Sequence, residues 1–422
     1  MTLVIADNVR ETSITNGTGA LTLTAVSGFR RFRDVCAIGD EFDYRITQGA
    51  NWEIGVGHYT GTDQLTRTYP QHSSNAGAAV SFSADPKDVV LTFSATRAKG
   101  TPNRNLLVNS SFRFWQRGTS LTLADGAMGP DGWFLLSESG SVSCTPGSGF
   151  YGQGVGKYAI ASVSSTQRIG FGQVLFSQDA YDLDNFWFQC EVTTNATRTI
   201  RAAVLYGGGT KDAQTRDMVN NWSSTTYTAG NFFHANWVPL AVASQSVEAG
   251  TPYRFSFPIT VPGSHKNLGV LIWTETQLTS GNEFYIGEPI LSDAGAPQIY
   301  RPPSYSEELL ACHRRFCKSF PIETAPANNA GFIGAFAGQA VTSSLDPEFY
   351  WRFPTTMGKA PTVTLYNPTA RTAGQWDNAS AALANARSYY PSDSSVVIDN
   401  TDTAGTTGTY FIHATAEAEP CS

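Results

Sequence analysis

The 422-residue sequence predicts an all-β protein: a small N-terminal β domain, a central antiparallel β-sandwich of jelly-roll type, a short helix and a C-terminal β-sandwich. Three observations predict it. Charged residues make up 15% of the chain and aromatics 12%, with Gly, Thr, Ser and Asn abundant, a mixture that suits sandwiches and barrels joined by polar turns. Apolar residues recur at alternate positions in many short runs, the period of a strand with one buried face. Helical spacing is confined to one segment, Ser304 to Ser319. At this length a chain is expected to divide into two to four domains.

In residues 1–97, period-2 alternation runs through Leu21 and Leu23, then Trp52, Ile54 and Val56, then Val80 and Phe82, then Val89, Leu91 and Phe93. Asn16-Gly17-Thr18-Gly19 lies between threonine-rich runs and predicts a hairpin, since Asn and Gly accept the positive φ of a tight turn. Arg97 to Arg104 (RAKGTPNR) is a basic, Gly/Pro-containing stretch, and residues 98–105 are expected to be a linker. The middle domain, 106–303, shows strands at Phe112 to Trp115, Lys157 to Ala161, Phe186 to Val192, Arg201 to Tyr206, Tyr253 to Ile259, Val270 to Thr274 and Phe284 to Ile286. Strands separated by turn-rich loops, without helical periodicity between them, predict two packed antiparallel sheets. Residues 304–320 form the helix. Ser304 and Glu307 have capping-box spacing after a Pro pair, and Leu309, Cys312, His313, Phe316 and Cys317 recur at helical intervals. Such a helix is expected to pack on a sandwich and fix its relation to the next module. Residues 321–422 return to short strands at Phe332 to Phe336, Phe349 to Phe353, Pro361 to Tyr366, Val396 to Ile398 and Tyr410 to Ala414.

The formal net charge of −7 argues against nucleic acid as a partner, because phosphate binders carry a basic face. The N-terminus lacks the cationic and apolar regions of a secretory signal, and no window holds eighteen apolar residues. A soluble protein without membrane insertion is expected, with its six scattered cysteines as reduced thiols. Cys312-His313-x3-Cys317 invites a zinc reading, but positions five apart on a helix point about 140° away from each other, so packed core thiols are expected instead. No G-x-S-x-G elbow, H-E-x-x-H or Walker loop occurs, and the chain is read as not an enzyme. Asp212 and Asp217, or Asp179, Asp182 and Asp184, could supply acids for glycoside hydrolysis, although loop acids of this kind are usually solvated.

Two segments frame the middle domain. Asn105 to Ser120 (NLLVNSSFRFWQRGTS), followed by Asp131-Gly132-Trp133, opens it, and Ile286 to Phe316 (IGEPILSDAGAPQIYRPPSYSEELLACHRRF) closes it. This frame resembles the carbohydrate-binding-like β-sandwich of bacteriophage tail fibres and receptor-binding virion proteins. VSGFRRF, NWEIGVGHYTG and QLTRTYP are similar to a small β domain near the N-terminus of such fibres, and the Phe353-Pro354 to Ala414 region is similar to their terminal β domain. The resemblance implies a fibre or spike subunit of the virion, on tail or capsid, assembled in the host cytoplasm. It implies host attachment through cell-surface polysaccharide, contacts with other virion proteins, and a homotrimer. A structural connector or decoration protein, or a capsule depolymerase, are the alternatives. Similar sandwiches often carry structural Ca²⁺, but no D-x-D-x-D-type loop supports it here and no cofactor is expected.

Sugars present apolar C–H faces and many hydroxyls, so their sites combine aromatic platforms with Asp, Asn, Arg or amide groups. Two segments have that mixture. In Tyr206 to Trp237 the candidates are Trp222, Tyr227, Asp212 and Asn221; the competing reading is that Trp237 begins a strand and Phe232 and Phe233 pin the loop. In Tyr366 to Tyr390 they are Trp376, Asp377 and Tyr389, beside Asn378, Arg387 and Tyr390, with a subunit contact as the competing reading. Trp115 and Trp133 sit at strand positions and are expected in the core.

Overall fold

A computed structural model describes residues 3–94, 105–148, 157–179, 185–262, 266–293, 297–298, 300–340, 347–378, 382–400 and 407–421. The chain forms two compact units, Met1–Asn103 with Ala294–Ile299 and Arg104–Asp293 with Tyr300–Ser422. Both are built almost wholly of antiparallel strands, as the composition predicts. The expected linker lies outside the described residues except for Asn105, which bridges to Ser292.

In the first unit a seven-stranded sheet has the spatial order Leu21–Thr22, Gln64–Ser73, Asn51–Gly61, Glu41–Gln48, Lys87–Thr92, Arg10–Ser13, Thr24–Ala25. Phe32, Phe42, Tyr44, Ile46, Leu65 and Val89 form its core. The expected buried face Trp52, Ile54, Val56 needs correction. Val56 is buried, but Trp52 is 38% exposed and Glu53 is fully buried. Register shifts after Ile54, Val56 and Tyr59 are the cause, since each irregularity re-aims the side chains that follow. The Asn16–Gly19 turn is also not a tight hairpin: the flanking pair is Thr12 with Thr24, and the Gly17 carbonyl accepts from Arg67 Nη2 at 2.9 Å.

The second unit begins with a two-sheet sandwich. One sheet has the order Tyr253–Thr260, Asn185–Thr194, Glu283–Ser292, Lys157–Val163, Val142–Ser148, Leu121–Leu123; the other has Trp237–Val247, Arg198–Gly207, Asn267–Thr274, Ile169–Val174, Phe134–Ser137. Side chains such as Phe188, Val192 and Ile286 from the first meet Phe171, Val204 and Ile272 from the second. Phe112 to Trp115, expected as a strand, folds back on itself instead. Phe112 has φ 48°, the Asn109 side chain bonds both the N–H and the C=O of Phe114, and the Trp115 indole donates to the Phe112 carbonyl at 2.8 Å.

The helix spans Tyr305–His313 and carries the expected capping box: Ser304 Oγ accepts from the Glu307 N–H, and the Glu307 carboxylate accepts from the Ser304 N–H. Its buried Glu308 accepts from the Ser111 N–H at 3.1 Å and from the Ser111 hydroxyl, tying the helix to the sandwich opening. The helix stops sooner than its spacing predicts, because Phe316–Lys318 pairs with the edge of the last strand, Gly408–Glu417. Cys317 therefore lies in a strand and not on the helix, and Cys312 and Cys317 are both buried thiols.

The last strand organises the C-terminal region, pairing with Phe316–Lys318, Phe336–Ala340, Thr362–Tyr366 and Gln375–Asp377 in one eight-stranded sheet. The expected strand Phe332 to Phe336 is displaced; a turn closes with the Ala335 N–H on the Phe332 carbonyl before Phe336–Ala340 begins. The sheet encloses Trp351, Trp376, Ile398, Tyr410 and Ile412. Sandwich and C-terminal module interlock: Gly358 leaves no room for a Cβ against the Phe176 ring, Arg315 pairs with Glu419 at 3.1 Å, and the Gln214 N–H donates to the Pro420 carbonyl.

His413 in the last strand is fully buried, stacked on Phe320 with centroids 3.9 Å apart. Its Nε2 faces the Gly331 carbonyl at 2.9 Å, which can only accept, so Nδ1 is the acceptor for the Ser319 hydroxyl. Burial lowers its pKa from the ordinary 6.5. Below 6.5 the unfolded chain takes up a proton that the folded chain resists, so this contribution to stability is present above that pH and is lost on acidification. The thermal midpoint of the second unit is expected to fall from neutral to mildly acidic pH, and the slope to be shallower in His413→Gln. Equal slopes in both proteins would contradict the assignment.

Candidate functional site

The first candidate segment is a cover. Trp237 begins a strand, and the loop before it folds onto the outer face of the five-stranded sheet, where Phe134, Leu136, Ala203, Leu205, Leu271 and Trp273 form a second apolar cluster with Met218, Phe232, Phe233 and Trp237. Phe232 stacks on Trp273 with centroids 5.0 Å apart, and Phe233 meets the same indole edge-on. Tyr227 is half-buried; its hydroxyl donates to Glu275 Oε1 at 2.5 Å, Arg201 lies 4.0 Å over its ring, and burial pushes its phenol up to about 12. The Asp212 carboxylate accepts from the Ser177 N–H, the Ser177 hydroxyl and Asn267 Nδ2, each at 2.8 Å. Tyr227 and Asp212 are thus hydrogen-bonded within the cover. Asn221 is exposed, but its Oδ1 closes a turn on the Ser223 N–H. Trp222 is half-buried, edge-on to Phe232 at 6.1 Å. Among the candidate acids, Asp179 pairs with Arg314 at 3.0 Å and Asp217 accepts from the Val219 N–H, while Asp182 and Asp184 lie outside the described residues.

In the second segment, Trp376 and Asp377 also need correction. Both are fully buried, because Gln375–Asp377 is an interior strand between the last strand and Ala382–Tyr389. The Trp376 indole donates to the Asp399 carbonyl at 3.3 Å. The Asp377 carboxylate accepts from the Thr369 hydroxyl at 2.6 Å and pairs with Arg371 at 3.1 Å. Trp115 and Trp133 lie in the core as expected.

Tyr389 is different. Strand register places Tyr350, Val397 and Tyr389 in one row, flanked by Arg352 with Ser395 on one side and Arg387 with Asp399 on the other. Paired residues share a face, and the opposite face carries the buried Trp351, Val396 and Ile398, so this row points outward. Tyr350 is 53% exposed, Tyr389 38% and Tyr390 73%. The Tyr389 hydroxyl donates to the Tyr390 hydroxyl at 2.7 Å, a bond that raises the Tyr389 phenol above its usual range. Arg387 makes a two-pronged contact with Asp399 at 2.7 and 3.0 Å and lies 4.7 Å from the Tyr389 ring centre. The Tyr350 hydroxyl donates to Ser395 Oγ at 2.9 Å. Tyr350 and Tyr389, two strand spacings apart, stand roughly 10 Å from each other, enough for two linked pyranose rings. Aromatic surfaces for C–H faces thus alternate with hydroxyl, guanidinium and carboxylate groups for sugar hydroxyls. Tyr350 and Arg352 escaped the sequence reading, although Phe349, Trp351 and Phe353 at alternate positions imply that the residues between them face out.

No family model and no curated protein matches the sequence. Among solved structures, the chain is similar to the enzymatically active domain of bacteriophage CBA120 tailspike protein 4, at 12% identity over 44% of this chain and 21% of that chain, TM-score 0.29. It is also similar to a family 4 carbohydrate-binding module (15% identity, 44% of this chain and 98% of that one, TM-score 0.27). TmCBM61, solved with β-1,4-galactotriose, gives 9% identity over 44% of this chain and 97% of that one, with TM-score 0.28. These matches thus span about a fifth of the tailspike chain and nearly all of the two binding modules, at low identity in each case.

Proposed function

We propose that this chain is a non-enzymatic fibre or spike subunit of a bacteriophage or phage-like particle, which attaches the virion to host cell-surface polysaccharide. The observation that carries this reading is the outward row of Tyr350 and Tyr389 with Tyr390, Arg387 and Asp399 on a continuous sheet. A rigid strand scaffold fixes these rings before ligand arrives, so little ordering entropy opposes binding. The N-terminal unit would join the chain to other virion proteins, assembly would occur in the host cytoplasm, and a homotrimer would multiply weak single-site affinity.

Tyr389→Ala/Tyr390→Ala is expected to reduce adsorption to host cells by roughly tenfold or more, because each lost aromatic contact is multiplied across sites. The rings are exposed, so the thermal midpoint should not move. Normal adsorption by this variant would remove the tyrosine face as the receptor site. Loss of the oligomer instead would favour a structural connector whose tyrosines join subunits.

A further inference from the structure

A cleft of about 470 Å³ lies between the sandwich and the C-terminal module, inside one compact unit, and Tyr350, Tyr389 and Tyr390 are not among its lining residues. Its floor is set by register. Thr362 pairs with Glu417 and Thr364 with Thr415, so their side chains share one face, and Phe316 pairs with Glu417 from the other side. Thr362 and Thr364 are exposed. The sandwich supplies Arg117 and Arg216 as walls.

Arg117 is held in an unusual way. Its guanidinium lies 3.9 Å over the Phe316 ring, and its terminal nitrogens stand 3.6 Å from Glu417, 3.6 Å from Glu419 and 3.8 Å from Asp131. Those distances balance its charge but are too long for hydrogen bonds. Among the described residues, neither terminal nitrogen has a hydrogen-bond partner, nor does Glu419 Oε1 or Arg216 Nε. Burying such groups unpaired is costly, and a guanidinium that turns toward a ligand here gives up no hydrogen bond.

We infer that the cleft is a second saccharide site, which takes an uncharged sugar unit by a pair of neighbouring hydroxyls. A hydroxyl both accepts and donates, so it can accept from Arg117 and donate to Glu417, whose side chain is 34% exposed. Thr362 and Thr364 offer further hydroxyls along the same floor, and Phe316 gives the guanidinium a planar backing. Around the Arg117 guanidinium a carboxylate ligand would meet Asp131, Glu417 and Glu419. The other cations of the lining are Arg216, paired with Glu417 at 3.2 Å, and Lys359, which donates to the Asp212 carbonyl at 3.1 Å, so a pair of hydroxyls suits this position better than a charged group. The ligand class follows from the cleft's own groups and does not depend on the tyrosine face.

The test is ligand-observed NMR titration of the full chain with methyl glycosides of glucose, galactose and mannose, with glucuronate as the charged comparator. At least one neutral glycoside is expected to bind and to outcompete glucuronate. Arg117→Met, which loses charge-assisted bonds, should weaken binding roughly tenfold. Thr364→Val, near-isosteric on an exposed strand face, should weaken it measurably and keeps the test open if Arg117→Met fails to fold. Binding should persist in Tyr389→Ala/Tyr390→Ala. No binding by the unmodified chain, a preference for glucuronate, or binding untouched by both cleft variants would each overturn the inference. Loss in the tyrosine variant alone would do so too, while leaving the proposed function standing.

Discussion

Trp237→Ala is expected to destabilise the second unit by about 3–5 kcal/mol, the range for deleting a large, fully buried aromatic side chain. Trp237 is fully buried, its indole donates to the Thr215 carbonyl at 3.0 Å, and its ring packs against Gly269, where even a Cβ would clash. It therefore clamps the loop before it onto the five-stranded sheet at both a polar and an apolar point. Chemical unfolding of the full chain should report the loss, and hydrogen exchange should rise across Met218 to Phe233 before it rises in Asn267–Thr274. Trp222→Ala, at the half-buried rim of the same cluster, should cost much less. Equal costs for the two would contradict the description of the loop as a cover pinned at Trp237.

Glu53→Ala should be of similar size in the first unit, again about 3–5 kcal/mol, because it strands a buried cation. The Glu53 carboxylate accepts from the Tyr44 hydroxyl at 2.7 Å, the Val80 N–H at 2.6 Å and Arg67 Nη1 at 3.0 Å. Arg67 also donates to the carbonyls of Gly17, Gly19 and Val80, so one guanidinium joins three segments of the unit. Removing the carboxylate leaves that charge buried with neutral partners only. Exchange in peptides from residues 3–94 should increase while the second unit's unfolding is unchanged; an unperturbed first unit would show that the pair contributes little.

Alternation and turn chemistry made the β architecture legible, and the capping box at Ser304 and Glu307 marked the start of the helix. The end of the helix was not legible, because a distant strand edge captures Phe316–Lys318, and local spacing carries no trace of such a partner. Glu53 misled the face assignment for the same reason: its partners, Arg67 and Val80, come from other segments. The cover role of the aromatic loop was legible in the strand it protects. Asn267–Thr274, whose sequence NLGVLIWT is almost continuously apolar, is buried along its whole length, so both of its faces needed covering. The aromatics of the preceding loop were the available cover. Tyr389 could be placed at the surface only through strand pairing, as could the burial of Trp376 and Asp377 in the neighbouring strand. The cleft joins Arg117 to Glu417 and Glu419 across some three hundred residues, beyond the reach of any local pattern.

Recognition of surface polysaccharide is the activity on which the proposed function rests. Its most direct test is binding of the fluorescently labelled full chain to intact host cells before and after periodate oxidation of their surface polysaccharide. Binding that is present before oxidation and lost after it is the predicted result. Undiminished binding to oxidised cells, or none to untreated cells, would contradict the claim.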